Sequence, residues 1–224
     1  MPFEDIAITY DALRDQYAIR ARKMAGMPDN RRAPVADAPI AWVSGEEGGK
    51  VTAVDPVAMT VTTEAGETIR GDVINFIPPQ KAAALAYQMD LVEGRWCPID
   101  RVTMESTRHA NIHVIGDSCM ADEMPKSGYA ANTQAKVAAA QIILLPAGKD
   151  PVEPAWSNVC FSRIADEYGI SIADIFRLDR QSDRIAMVPE SGGISPLSTS
   201  HQMNRLEAFY QSAWLENFVA DSFG

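Results

Sequence analysis

The residues most able to do chemistry lie in one stretch of this chain. Cys97 stands in Trp96-Cys97-Pro98, and Gly116-Asp117 ends the β-branched run Ile112, Val114 and Ile115. Pro125-Lys126-Ser127-Gly128 follows, and a helix of small residues is predicted from Tyr129 to Ala140. A strand that stops at Gly-Asp lets bare backbone approach a ligand. It also sets one carboxylate there to accept hydrogen bonds from hydroxyls. A helix opening just after Ser127-Gly128 offers unpaired N–H groups and a positive dipole end to an electron-rich acceptor. Lys126 would add Coulombic stabilisation of an anion there, or serve only as a solvated charge.

The same residues carry plainer readings. Cys97 fits a buried thiol, as free cysteine usually is. Asp117 fits a turn cap, although its place at a strand end favours ligand binding. Three cysteines, Cys97, Cys119 and Cys160, give no CxxC and no zinc pattern. Cys119 and Cys160 read as structural, and a Cys97–Cys119 disulfide stays open because connectivity does not follow from sequence. His109 and His113 lie four apart but lead into a β-rich run, so a helical metal site is not expected, and none is assigned.

Elements that position these residues can be read along the chain. Residues 1–40 are poorly readable, with helix-forming content from Asp5 to Met27 and then a Pro/Asp/Arg-rich loop. From Ile40 a strand, a Gly-rich turn and a second strand are expected. A hairpin around Glu64-Ala65-Gly66-Glu67 should lead to a strand Val73–Ile77, stopped by Pro78-Pro79. Lys81–Met89 is Ala-rich and helical in pattern, and an extended piece is expected near Arg101–Glu105. The apolar run Val137–Pro146 reads as a buried helix. Gly148–Pro154 is a linker, Asn158–Glu167 reads as either a strand or a short helix, and Ile170–Arg177 begins a further small unit. SGGISPLS reads as a loop, with Gly192-Gly193 as a turn. The final helix, Asn204–Phe223, carries Leu206, Phe209, Tyr210, Trp214 and Phe218 as a core-facing stripe.

Composition bounds the function. The chain has 224 residues, is 46% hydrophobic and carries a formal net charge of −10. It should fold, and an acidic surface disfavours nucleic acid as a partner. No apolar run reaches the length of a membrane span, and no signal peptide is visible. No GxGxxG occurs anywhere, so the cradle that normally opens a dinucleotide-binding domain is absent.

Together VINFIPPQKA, RWCPID, IHVIGDSCMADEMPKSGYAANTQAKVAAA and SAWLENF resemble the flavoprotein subunit of flavocytochrome c sulfide dehydrogenase. The resemblance runs from about Trp42 to Gly224, and the tail NVCFSRIADEYGISIADIFR and VPESGGISP narrows it to that family. It implies an α/β fold with an α+β appendage, the C-terminal half of a two-dinucleotide-binding-domain flavoprotein. Expected divisions are an N-terminal segment 1–40, a partial FAD/NAD(P)-binding region 41–147 and a small flavin-binding domain 148–224. The implied cofactor is FAD, a redox disulfide stands beside it, and electrons pass from sulfide to a cytochrome c subunit or domain in the periplasm. By the resemblance, Cys97 matches one redox cysteine, whose partner would lie in a first half not present here. Gly116 and Asp117 match the FAD-binding Gly-Asp, and Lys126, Ser127, Gly128 and Tyr129 match the segment around the flavin ring. An FAD-dependent oxidoreductase is therefore expected, inactive as this chain alone. The competing readings are a sulfide:quinone or NADH:quinone reductase-like piece, and a folded domain without chemistry.

Overall fold

A computed structural model describes Val43, residues 45–196 and residues 199–224. The helix expected at Asp5–Met27, the loop after it and most of the strand expected from Ile40 lie outside the described residues. Two compact units form, one ending at Gln80 and one spanning Lys81–Gly224. The linker Gly148–Pro154 therefore does not separate compact units; residues on both of its sides pack together.

The first unit is a three-stranded antiparallel meander of β1 (Val51–Asp55), β2 (Thr60–Thr63) and β3 (Thr68–Arg70). Its Thr and Val content suits half-exposed strands, and Asp55 closes the first turn by accepting from the amides of Val57 and Ala58. The second turn falls at Glu64-Ala65, as the Gly-containing tetrapeptide predicts. The strand expected at Val73–Ile77 is not formed. That segment finds no ladder partner among the described residues, and Val73 and Ile77 remain exposed. β-propensity without a partner leaves the amides to water.

In the second unit α1 (Ala84–Gln88) precedes a loop-rich stretch, then come α2 (Gly128–Leu144), a four-stranded sheet and α3 (His201–Phe223). The sheet is β4 (Ala155–Ala165), β5 (Tyr168–Asp179), β6 (Arg184–Met187) and β7 (Gly193–Ile194), with β5 pairing all three others antiparallel. Along β5, Ile170, Ile172, Phe176 and Leu178 are buried, while Ile175, Arg177 and Asp179 are exposed. That period of two gives the sheet one apolar face. Trp156 stands opposite Phe176 in the register, and both pack with Ile185, Met104, Ala130 and Ala138 in the main core.

Helices and sheets are thus mixed, as an α/β class requires, but both sheets are antiparallel. The strand predicted at Ile112–Ile115 is absent: only His113 makes a bridge, to Glu105, and Ile115 is exposed. The segment meets Met104–Ser106 through the Ser106 amide on the Ile112 carbonyl at 2.7 Å and the Val114 amide on the Met104 carbonyl at 2.9 Å, a single antiparallel bridge too short to make a ladder. Arg101–Thr103 is a turn rather than an extended piece. SGGISPLS is not wholly loop, since Gly193–Ile194 pairs with β5. Val137–Leu144 is helical, yet Ile142 and Ile143 are exposed.

The stripe of α3 is corrected in part: Leu206, Trp214 and Phe218 are half-buried. Its buried positions are Asn204 and Ala208, whereas Phe209 and Tyr210 face solvent. Small residues are selected because α3 lies directly on the β4–β5 hairpin. A Cβ on Gly169 would stand 2.5 Å from the amide nitrogen of Ala208. Arg163 on β4 donates to the Ala208 carbonyl at 2.8 Å and to Ser212 Oγ at 3.2 Å, holding the helix from the other strand.

One carboxylate ties the loop before α2 to this sheet. Asp122 accepts from Arg101 Nε at 2.7 Å and from the Ile185 amide on β6 at 2.9 Å, with Arg184 at 3.6 Å. Burial alone would raise its pKa, but the Arg101 and Ile185 hydrogen bonds and the two arginine charges outweigh that and hold it below 3.8. A depressed carboxyl stabilises the fold fully above its unfolded pKa, and that contribution is lost as pH falls through the folded one.

Two outcomes follow from these contacts. Gly169→Ala should cost about 1–3 kcal/mol, because backbone must move; an unchanged urea midpoint would contradict the close contact with α3. Asp122→Asn should destabilise the protein at neutral pH by about 1.5–3 kcal/mol. Its stability should then fall less on acidification below roughly pH 4 than that of the unsubstituted chain. Parallel acid-denaturation curves would contradict the assignment.

Candidate functional site

Gly116–Ser118 folds as a single 3-10 turn rather than the end of a strand. Gly116 has φ +69°, a left-handed backbone that glycine adopts without strain. A Cβ there would also approach Ala131 Cβ on α2 to 3.3 Å. The turn therefore lies against the flank of α2, and the Asp117 that follows is exposed. The expected neighbourhood of Asp117 and the helix start is realised without the expected strand.

α2 begins at Gly128 because Ser127 leaves helical conformation, at φ −148° and ψ 157°, and its hydroxyl accepts from the Ala130 amide at 3.0 Å. That is an N-cap, and it leaves the Gly128 and Tyr129 amides without intrahelical acceptors. The same hydroxyl donates to Asn158 Oδ1 on β4 at 2.5 Å. Asn158 is buried and donates in turn to Cys160 Sγ at 3.3 Å. Thr133 Oγ1 also reaches the Ser157 carbonyl at 3.1 Å. The start of α2 is thus fixed to β4 by side chains. Tyr129 stacks on Trp214 of α3 at 5.1 Å between ring centroids, and Trp214 stacks on Phe218 at 5.3 Å.

Cys97 is brought to this turn by backbone pairing. Its amide donates to the Ser118 carbonyl at 2.8 Å, and the Met120 amide donates to the Cys97 carbonyl at 2.8 Å. Cys97 and Cys119 are therefore neighbours in a parallel bridge. Both are free thiols with buried side chains. Cys97 packs with Ala82, Ala86 and Leu91, whereas Cys119 belongs to the main core and donates to the Gly116 carbonyl at 3.1 Å. Burial raises the Cys97 thiol and pushes the Cys119 thiol up to about 12, against the opposing charge of Lys126. Both are consequently protonated at neutral pH. Cys160 is half-buried on β4, opposite Ile172.

Lys126 is not a solvated charge. Its ammonium donates to the carbonyls of Asp117 at 2.5 Å and Cys119 at 3.0 Å, and stands 3.9 Å from the centroid of the Trp96 ring. Burial lowers its pKa, while the neighbouring Cys119, Asp117 and Cys97 act the other way. Lys126 thereby clamps the 117–119 backbone onto the Trp96–Cys97 segment.

Cys97, Gly116, Asp117, Lys126, Ser127, Gly128 and Tyr129 are thus gathered in one unit. The sequence reading missed four supports: Trp96 beneath Lys126, Gln134 beside Gly116, Asn158 behind Ser127 and Trp214 on Tyr129. Gln134 carried a partial signal, as one of two glutamines in an alanine-rich helix. A surface depression of about 590 Å³ is lined by His201, Gln202, Arg205, Leu206 and Phe209 and by none of the site residues. No helix of the described residues is long and apolar enough to cross a membrane.

Ser127→Ala should cost about 0.5–2 kcal/mol, the usual worth of an N-cap. A denaturant midpoint equal to that of the unsubstituted chain would show that the cap does not hold the start of α2.

Residues 152–223 match the family model described as flavocytochrome c sulphide dehydrogenase, flavin-binding. The match takes in all of β4–β7 and α3, the elements that carry Asn158 and Trp214. The likeness is that of these residues, about the last third of the chain, and is consistent with FAD as cofactor.

Proposed function

We propose, taking residues 152–223 as the flavin-binding domain of that family, that this chain forms part of the FAD site of a sulfide dehydrogenase that delivers electrons to cytochrome c. The observation that carries the reading is the Ser127–Asn158 hydrogen bond. It fixes the open start of α2 to a strand of the flavin-binding domain, beside a left-handed Gly-Asp turn.

The residues present fit a flavin. Gly116 has no side chain to block approach, and Asp117 holds an exposed carboxylate able to accept from the hydroxyls of a ribityl chain. The Gly128 and Tyr129 amides, at the positive end of a helix of 17 residues, suit the electron-rich edge of the ring. Lys126 adds a positive charge at the same turn, although its donors are already engaged by the Asp117 and Cys119 carbonyls. FAD supplies the capacity to take up two electrons and release them one at a time.

The finer roles rest on placement. Cys97, held against the Ser118 carbonyl, would provide one sulfur of the redox pair that meets sulfide. Its burial keeps it protonated in this form, so reaction requires either opening of its cover or loss of a proton favoured by Lys126. A cytochrome c subunit or domain would be the electron acceptor, and the periplasm the compartment.

The test uses the full chain incubated with FAD and then freed of unbound cofactor. The flavin absorption bands should remain with the protein. Asp117→Ala should weaken retention by about tenfold, the loss of roughly 1.4 kcal/mol of hydrogen bonding. A colourless chain, or equal retention by the variant, would count against the reading.

A further inference from the structure

We infer that Gln134 is the positioning residue of the candidate flavin site: it sets the Gly116–Asp117 turn in the conformation that presents Asp117. The inference rests on the flavin reading above and adds a residue that neither the motif nor the family match singles out. Gln134 lies within α2, is 2% exposed, and its Oε1 accepts from the Gly116 amide at 2.7 Å. The Cys119 thiol points at the same oxygen from 3.5 Å, and the amide nitrogen faces Met124 Sδ at 3.7 Å. One carboxamide thus receives both ends of the 116–119 turn.

The geometry makes this more than satisfaction of a buried group. Gly116 is at φ +69°, and its carbonyl accepts from the Cys119 amide at 3.1 Å and from the Cys119 thiol at 3.1 Å. Those contacts close the turn on itself but do not place it against the helix. Ala131 offers only a methyl group there, which gives contact without direction. Lys126 holds the far side through the Asp117 and Cys119 carbonyls. Among the described residues, Gln134 alone joins the start of the turn to α2 by a directional bond, so it determines where Asp117 stands relative to the open helix end.

Gln134 acts through Gly116 and Asp117 and touches no ligand itself. Two substitutions separate positioning from mere stability. Gln134→Leu keeps bulk and removes the acceptor; Gln134→Glu keeps an oxygen acceptor in nearly the same shape. Both should lower the denaturation midpoint, the first by orphaning an amide and the second by burying an acid.

Affinity should divide them. The dissociation constant for FAD is expected to rise about tenfold or more in Gln134→Leu and to return towards the unsubstituted value in Gln134→Glu. Hydrogen exchange at the Gly116 amide should accelerate in the first variant and stay slow in the second. FAD affinity that simply follows the midpoint in both variants, or unchanged Gly116 exchange in Gln134→Leu, would overturn the inference. If the unsubstituted chain retains no FAD, the flavin reading fails; exchange at Gly116 then decides alone whether Gln134 sets the turn.

Discussion

The buried face of α2 is the constraint on which the second unit depends. That face consists of Ala130, Gln134, Ala138 and Gln141, two methyl groups and two amides. The alanines allow close approach to Trp156, Phe176 and Ile185 in the core. The amides reach out of the helix: Gln134 to the Gly116 turn, and Gln141 to the Val102 carbonyl and both backbone groups of Val152. Each such bond contributes only about 1 kcal/mol net, but leaving its partner buried and unpaired costs more. A helix with this face can pack in one register against one set of loops, which favours uniqueness over raw stability.

The arrangement connects the family-matched tail to the chemistry-bearing stretch. Asn158 on β4 holds the N-cap of α2, Asp122 bonds the β6 amide of Ile185, and Trp214 of α3 stacks on Tyr129. These contacts run from residues within 152–223 to residues before them. They explain why Lys81–Gly224 is compact across the Gly148–Pro154 linker. The tail that matches the flavin-binding family model thus also fixes the start of α2.

Local signals in the sequence were reliable where one segment decides its own structure. The Gly66 hairpin, the helix after Ser127-Gly128 and the final helix follow from turn chemistry, capping and small-residue content. Strands were legible where a tight turn marks the hairpin, as in β2 and β3, whereas Asn158–Glu167 left strand and helix both open. Val73–Ile77 has β-propensity but no ladder partner among the described residues, and Ile112–Ile115 finds only the single bridge from His113 to Glu105. The aromatic stripe of α3 misled because Gly169 brings the sheet so near that only Ala208 fits between. Contacts such as Gln134–Gly116 and Cys97–Ser118 join residues about 20 apart and have no local signature.

Hydrogen exchange of the whole chain, followed with and without FAD, tests the central claim most directly. The account predicts slowing at Gly116–Cys119 and at the first amides of α2, Gly128 and Tyr129, with little change in β1–β3. Slowing confined to β1–β3, or no change at the turn and helix start while FAD is bound, would contradict it.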